Sequence, residues 1–140
     1  MRTILLIMIG LSVSIWADFN RDDARQIVTD NSTGLQWQDD SSTIDKNWAD
    51  AIDYCETLTL GNYTDWRLPN LNELHSIVDR SKHHPAMDSV FKNVAPYGYW
   101  SSTTRVREEY SAWEILFYDG RDDVRFKYQR SSVRCVRDGQ

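Results

Sequence analysis

The stretch Asp65-Trp66-Arg67-Leu68-Pro69-Asn70-Leu71-Asn72-Glu73-Leu74 decides how this chain is organised. Pro69 fixes its own φ and pushes Leu68 toward extended backbone, so the residues before it are not helical. Asn70 is a capping residue, and Glu73 stands three positions on, a variant of the capping-box spacing. Leu71, Leu74, Ile77 and Val78 follow at helical intervals, which predicts a helix from about Leu71 to Asp79. Trp66 is large enough to anchor a core, and Arg67 offers a forked guanidinium to carbonyls or a carboxylate. The stretch therefore reads as a strand-to-helix corner, with Trp66 buried and Pro69 starting the second helix. It holds no catalytic pattern.

On the N-terminal side of this corner, Asn47 to Leu58 reads as a first helix. Trp48, Ala51, Ile52, Cys55 and Leu58 share a face, Asn47 caps it, and Asp50 suits the first turn. Before it, Gln26–Thr29 and Leu35–Gln38 alternate like strands around Asp30-Asn31-Ser32-Thr33-Gly34, a connection rich in turn formers. This pair reads as a hairpin, and the polar segment 18–25 as a lead-in. On the C-terminal side, the segment through His83-His84-Pro85 is irregular, and Phe91 is expected to plug the core from a loop. Tyr99-Trp100-Ser101-Ser102-Thr103 is strand-prone, and Trp113–Tyr118 runs into Asp119-Gly120, a two-residue hairpin signal. Beyond it Val124, Phe126 and Tyr128 alternate with Arg125, Lys127 and Gln129. If the apolar set faces the core, Arg125 and Lys127 share the opposite face, with Arg130 near the strand end. Val133, Cys135 and Val136 read as a closing strand.

The chain has 140 residues, enough for one domain, and six Trp and seven Tyr beside four Phe. Trp and Tyr favour surfaces apolar at one end and wet at the other, such as sheet and binding faces. Arg2 followed by the apolar run Ile4–Trp16, ending at Ala17, reads as a secretory signal over residues 1–17, too short to span a bilayer comfortably. No cysteine lies near Ala17, so no lipid anchor is indicated. The mature chain is then residues 18–140, periplasmic or secreted, without a stable membrane anchor and more acidic than the −5 of the full sequence. In that oxidising compartment Cys55 and Cys135 read as one disulfide, worth roughly 4.5 kcal/mol from closing a loop of about 80 residues. A metal or redox pair would call for the short C-x-x-C spacing, which is absent.

Chemistry is sparse. The histidines are His75, His83 and His84, and no H-E-x-x-H, G-x-S-x-G or phosphate loop occurs. Asp39-x-Ser41-x-Thr43 resembles the start of a calcium loop, but Ile44 stands where the turn needs Gly and the twelfth position is Asp50. No metal, cofactor or nucleic-acid partner is expected. Residues 18–99 carry 7 basic and 14 acidic side chains, whereas residues 100–140 carry 8 and 7. That contrast makes Arg125, Lys127 and Arg130 the candidate ligand-binding set, for a glycan or sulfated polyanion through charge-assisted hydrogen bonds. The balancing reading is a solvated face neutralised by Glu108, Glu109, Asp122 and Asp123.

Val28-Thr29-Asp30-Asn31, Thr33-Gly34-Leu35-Gln36-Trp37, Trp48-Ala49-Asp50-Ala51, Tyr54-Cys55 and Asp65-Trp66-Arg67-Leu68-Pro69-Asn70 follow one another along the chain. Glu73-Leu74, Tyr99-Trp100-Ser101-Ser102-Thr103 and Val133-Arg134-Cys135-Val136-Arg137 complete the series. In these motifs the chain resembles the Lcl C-terminal domain family, with Trp48, Trp66, Arg67, Pro69, Asn70, Glu73 and Trp100 as structural positions. The resemblance implies an α+β, C-type-lectin-like fold: two helices on a twisted antiparallel sheet, a long looped central region, and the last strand tied to the first helix. It also implies an association with sulfated glycans, although the Glu-Pro-Asn and Gln-Pro-Asp motifs of calcium-dependent lectins and a collagen-like repeat are absent here. The expected function is an exported, non-catalytic binding module for a glycan or an envelope protein. The alternative is an envelope carbohydrate-active enzyme working through paired carboxylates.

Overall fold

The Asp65–Leu74 corner holds two sheets together in the computed structural model, which describes residues 18–42 and 44–139. The first sheet has the order β1 (Phe19–Asp22), β2 (Ile27–Asp30), β3 (Leu35–Gln38), β9 (Val136–Asp138), all antiparallel. The second has the order β4 (Asp45–Lys46), β8 (Ser131–Ser132), β5 (Gly98–Arg105), β6 (Glu108–Leu116), β7 (Arg121–Phe126). Its pairs are antiparallel except β5 with β8, which is parallel. The architecture is α+β with a mixed second sheet, rather than the single antiparallel sheet expected.

Arg67 exchanges both backbone hydrogen bonds with Val136 of β9, each 2.9 Å, and so extends the first sheet. Two residues later the Pro69 carbonyl accepts from Ser102 of β5 at 2.8 Å, and Leu71 N donates to Thr103 Oγ1. One short extended piece is thereby bonded to both sheets. Asn70 then caps α2 (Leu71–His75) in a complete capping box: its side chain accepts from Glu73 N and Glu73 accepts from Asn70 N. Trp66 is 2% exposed and belongs to one core cluster with Trp100, Ala51, Cys55 and Cys135. Cys55 of α1 (Trp48–Thr57) is bonded to Cys135, with Cα atoms 5.4 Å apart. Asn47 caps α1, as its sequence predicts.

A second core cluster fills the space between α2 and both sheets, around Val28, Trp37, Leu74, Ile115, Phe117 and Val136. Phe91 joins it from the looped segment 76–97. Α2 is shorter than its apolar spacing predicts. After His75 the chain passes into tight turns, with Ser76 Oγ donating to the Glu73 carbonyl and Asp79 N drawn to the Ala86 carbonyl. Ile77 still reaches the core, because a turn delivers it to the same side as the helix would have.

Four other expectations change. The lead-in contains a strand, β1, whose Phe19 packs edge-on against Phe91. The β6–β7 connection is the four-residue loop Phe117–Gly120 rather than a two-residue turn, because Phe117 is drawn into the core. The closing strand begins only at Val136, as β9, and Val133, Arg134 and Cys135 link it to β8 of the other sheet. Most important, Phe126 and Tyr128 are 51% and 75% exposed, so the alternation in and beyond β7 is inverted. β7 is the outer strand of its sheet, and its register puts Arg125 on the face of Ala112 and Glu114, with Lys127 beyond it over Trp48 of α1. Period-2 patterning separates two faces without saying which of them is covered. The leader reading, residues 1–17, lies outside the described residues, as does Thr43 of the calcium-loop reading.

Candidate functional site

β6 carries Ala112, Glu114 and Leu116 on one face, and strand register places Arg125, Asp123 and Arg121 of β7 opposite them. Glu114 is 1% exposed. Its carboxyl lies flat on Gly98, where an added Cβ would stand 2.5 Å from Oε2. Only glycine leaves that room at the start of β5. Ser131 of β8 sets its Oγ 2.6 Å from Glu114 Oε2 and 2.7 Å from the Gly98 carbonyl oxygen. Burial pushes the Glu114 carboxyl above the ordinary glutamate range, and neighbouring Asp123 adds to the effect against the opposing pull of Ser131 and Arg125.

Above this carboxyl opens a cleft of about 290 Å³, lined by Asp45, Tyr97, Gly98, Glu114, Leu116, Asp123, Arg125, Arg130, Ser131 and Ser132. Arg125 Nη1 stands 3.8 Å from Glu114 Oε1, beyond hydrogen-bond range, and its Nε is buried without a partner. Arg130 donates to the Asp45 carbonyl at 2.7 Å and to its carboxylate at 3.1 Å. That bond holds the Asp45 carboxyl below its usual range. Tyr97 stands at the rim, 76% exposed.

The three basic residues singled out in the sequence are therefore not one free patch. Arg125 and Arg130 line the same cleft, while Lys127 is engaged elsewhere. Its ammonium lies 3.9 Å above the Trp48 ring and donates to Thr104 Oγ1 at 2.9 Å. The structural positions behave differently. Trp48 Nε1 donates to the Ser101 carbonyl and Trp100 Nε1 to the Lys46 carbonyl. Arg67 grips Glu73 with two bonds, 2.6 and 2.7 Å, and reaches Asp138 with a third contact of 2.6 Å.

Sequence reasoning missed Glu114, Asp45, Tyr97 and Ser131, and named Asp123 only as a balancing charge. Glu114 carried one signal: a carboxylate inside the apolar run Trp113–Tyr118 sits where strand alternation leaves a face to be buried. Asp39, weighed in the sequence only as a poor calcium-loop match, has a structural place. Its carboxylate accepts from Arg134 Nη1 (2.9 Å), Lys92 N (2.8 Å), Asn93 N (3.1 Å) and Arg21, so its lone pairs are spent on joining loop 88–95 to the first sheet. Among the described residues no group of three or more His, Cys, Asp or Glu is placed to hold a metal ion, and no helix is long and apolar enough to cross a membrane.

A second exposed feature lies at the β5–β6 turn. Arg105 and Glu108 pair across it, Arg107 takes a φ of 65°, and Val106 at the tip is 81% exposed. With Tyr110 and Phe126 it borders a broad open groove of about 810 Å³. Phe126 and Tyr128 stack with ring centroids 5.5 Å apart.

Residues 26–137 match the Lcl C-terminal domain. This chain belongs to that family. The match begins at the residue before β2 and ends within β9, so it takes in both helices, the disulfide and every residue lining the cleft. β1 lies before the matched region of this Lcl C-terminal domain. No curated protein matches the chain.

Proposed function

We propose that this chain is an exported, non-catalytic binding module on a C-type-lectin-like scaffold, taking a saccharide in the Glu114–Arg125 cleft. The observation that carries the reading is the composition of that cleft. Guanidinium donors, carboxylate acceptors and a rim tyrosine converge on a concave site of a few hundred Å³. Sugars present hydroxyls that both donate and accept, so a mixed lining suits them better than a lining of one charge. A dense polyanion fits less well, since Arg130 is already paired with Asp45 and Lys127 is turned onto Trp48. A short saccharide with at most one or two anionic groups meets the geometry. The periplasm or the cell exterior is the proposed location, on the strength of the apolar leader and the disulfide.

The test is an NMR titration of the mature protein with neutral and acidic oligosaccharides. Amide shifts at Tyr97, Gly98, Arg125 and Ser131 are expected, and shifts confined to other surfaces, or none, overturn the reading.

One observation favours a catalytic alternative. Glu114 and Asp123 are directly opposed on neighbouring strands and line the same cleft, the arrangement of two carboxyl groups that acid-assisted glycoside hydrolysis uses. Release of reducing ends from envelope oligosaccharides, abolished by both Glu114→Gln and Asp123→Asn, would establish an enzyme. Binding without turnover supports the module.

A further inference from the structure

The Ser131 hydroxyl has one proton and two close oxygen neighbours, the Gly98 carbonyl at 2.7 Å and Glu114 Oε2 at 2.6 Å. A carbonyl oxygen only accepts. Two oxygens at such a separation without a proton between them repel. Both contacts are satisfied together when Ser131 donates to Gly98 and Glu114 donates to Ser131, which requires Glu114 to be a carboxylic acid. Three further features point the same way. The Glu114 side chain is 1% exposed, Asp123 stands opposite it across the β6–β7 pair, and Arg125 Nη1 stays 3.8 Å away rather than closing an ion pair.

We propose that the proton on Glu114 gates this cleft: protonated, Glu114 leaves Arg125 free to take an anionic group of a bound saccharide, and ionised, it claims Arg125 for itself. The proposal rests on reading the cleft as a saccharide site and adds its regulation. The charged groups facing Glu114 act in known directions. From β7, Arg125 favours the carboxylate and Asp123 opposes it. From the β4 and β8 side, Asp45 and Arg130 neutralise one another at 3.1 Å, and the Ser131 hydroxyl is already committed. With Glu114 neutral, Arg125 is the cation of the cleft without a paired carboxylate, and its side chain is 38% exposed to the cleft it lines. An anionic ligand in the cleft supplies the missing counter-charge.

The sign follows. Glu114 holds its proton on the acid side, so Arg125 is available there and is withdrawn as the pH rises through the Glu114 midpoint in the folded protein. By linkage, an anion bound to Arg125 favours the protonated acid, and binding takes up a proton.

The experiment has a ligand-free arm and a ligand arm. In the first, the Glu114 carboxyl carbon and the Arg125 Nε of the mature protein are followed by NMR across pH. The expected result is a Glu114 midpoint above the ordinary glutamate range, a matching step at Arg125, and loss of that step in Glu114→Gln, whose amide mimics the protonated acid. Asp123→Asn should move the midpoint down without altering Glu114 itself. A midpoint at or below the ordinary range, or an Arg125 signal that ignores it, overturns the gate. In the second arm the probe is a galacturonate trisaccharide. The wild type should lose affinity above the midpoint by up to about tenfold per pH unit, the limit for one coupled proton, while Glu114→Gln stays level. Identical pH profiles for the two proteins overturn the gate and leave the saccharide reading standing. If neither protein binds the probe at any pH, it is the use of Arg125 for an acidic sugar that falls, while the first arm still decides whether Glu114 controls Arg125.

Discussion

Two arginine–glutamate pairs in this molecule have opposite fates. Arg67 and Glu73 meet through two bonds of 2.6 and 2.7 Å, and Glu73 accepts a third from the Asn70 amide. Burial pushes that carboxyl up, but the bonds from Arg67 and Asn70 outweigh it and hold it below the ordinary glutamate range. Arg125 and Glu114 stand 3.8 Å apart, the carboxyl is more deeply buried, and burial wins. The same two side chains thus give a closed ionic clasp at the corner and an open, proton-bearing contact in the cleft. What differs is the number of donors delivered to the carboxylate. A helix N-terminus and a forked guanidinium supply three at Glu73, whereas Glu114 has one hydroxyl, shared with the Gly98 carbonyl. A closed clasp stabilises; an open one retains binding capacity.

The largest way to break the comparison is to remove the support beneath the clasp. Trp66→Ala should destabilise the protein by about 3–5 kcal/mol, as large-to-small aromatic core changes do. Denaturant unfolding measures it. A loss below about 1 kcal/mol would show that the corner bonded to both sheets does not organise the fold.

Next in size is the clasp itself. Glu73→Ala removes the capping box and leaves Arg67 with Asp138 alone, for a loss of about 1–2 kcal/mol. Because the folded value of Glu73 is depressed, its contribution is fully present above the ordinary glutamate range and is lost as the pH falls through the folded value. The wild-type and variant stability curves should therefore converge in acid. Curves that stay parallel down to strongly acidic pH would assign the loss to packing rather than to the ion pair.

How far the sequence carried this comparison depends on where each carboxylate finds its partners. Glu73 is legible because its partners lie within six residues, at Arg67 and Asn70, and capping follows local rules. The helix after it was overextended, since turns also deliver Ile77 to the core. Cys55 and Cys135 were legible by their number and the leader. Glu114 draws its surroundings from β5, β7 and β8, so its burial and its proton depend on register between distant segments. Arg125 and Arg130 were singled out by charge and by strand alternation, Asp123 was legible as a balancing charge, and Asp45 appears only once β4 and β8 share a sheet. Lys127 was grouped with them for the same reason, and Trp48 takes it away.

Glu114→Gln sharpens the comparison from the other side. A raised folded value means that wild-type stability declines as pH rises from the ordinary glutamate range through that value, because the native state holds the proton longer than the unfolded chain. Each unit of elevation amounts to about 1.4 kcal/mol. The variant carries no such proton, so its stability should match the wild type in mild acid and exceed it at alkaline pH. A variant less stable than the wild type at every pH would show that Glu114 is a structural carboxylate like Glu73.

The smallest expected effect tests which way β7 faces, on which the cleft depends. Phe126→Ser removes a ring that is 51% exposed and stacked on Tyr128 rather than packed in either core cluster. The change in stability should stay within about 0.5 kcal/mol, the range of ordinary surface substitutions. If the apolar set of Val124, Phe126 and Tyr128 faced the core, as strand alternation alone suggests, the same substitution would cost about 3–5 kcal/mol. The two outcomes also differ in where Arg125 goes. With Phe126 outside, strand alternation puts Arg125 on the Glu114 face, over the buried acid. With Phe126 inside, Arg125 would stand in solvent, far from the Glu114 proton, and its response to Glu114→Gln would vanish. Near-neutral Phe126→Ser together with an Arg125 signal that follows Glu114 fixes the orientation of the strand and the wiring of the cleft at once.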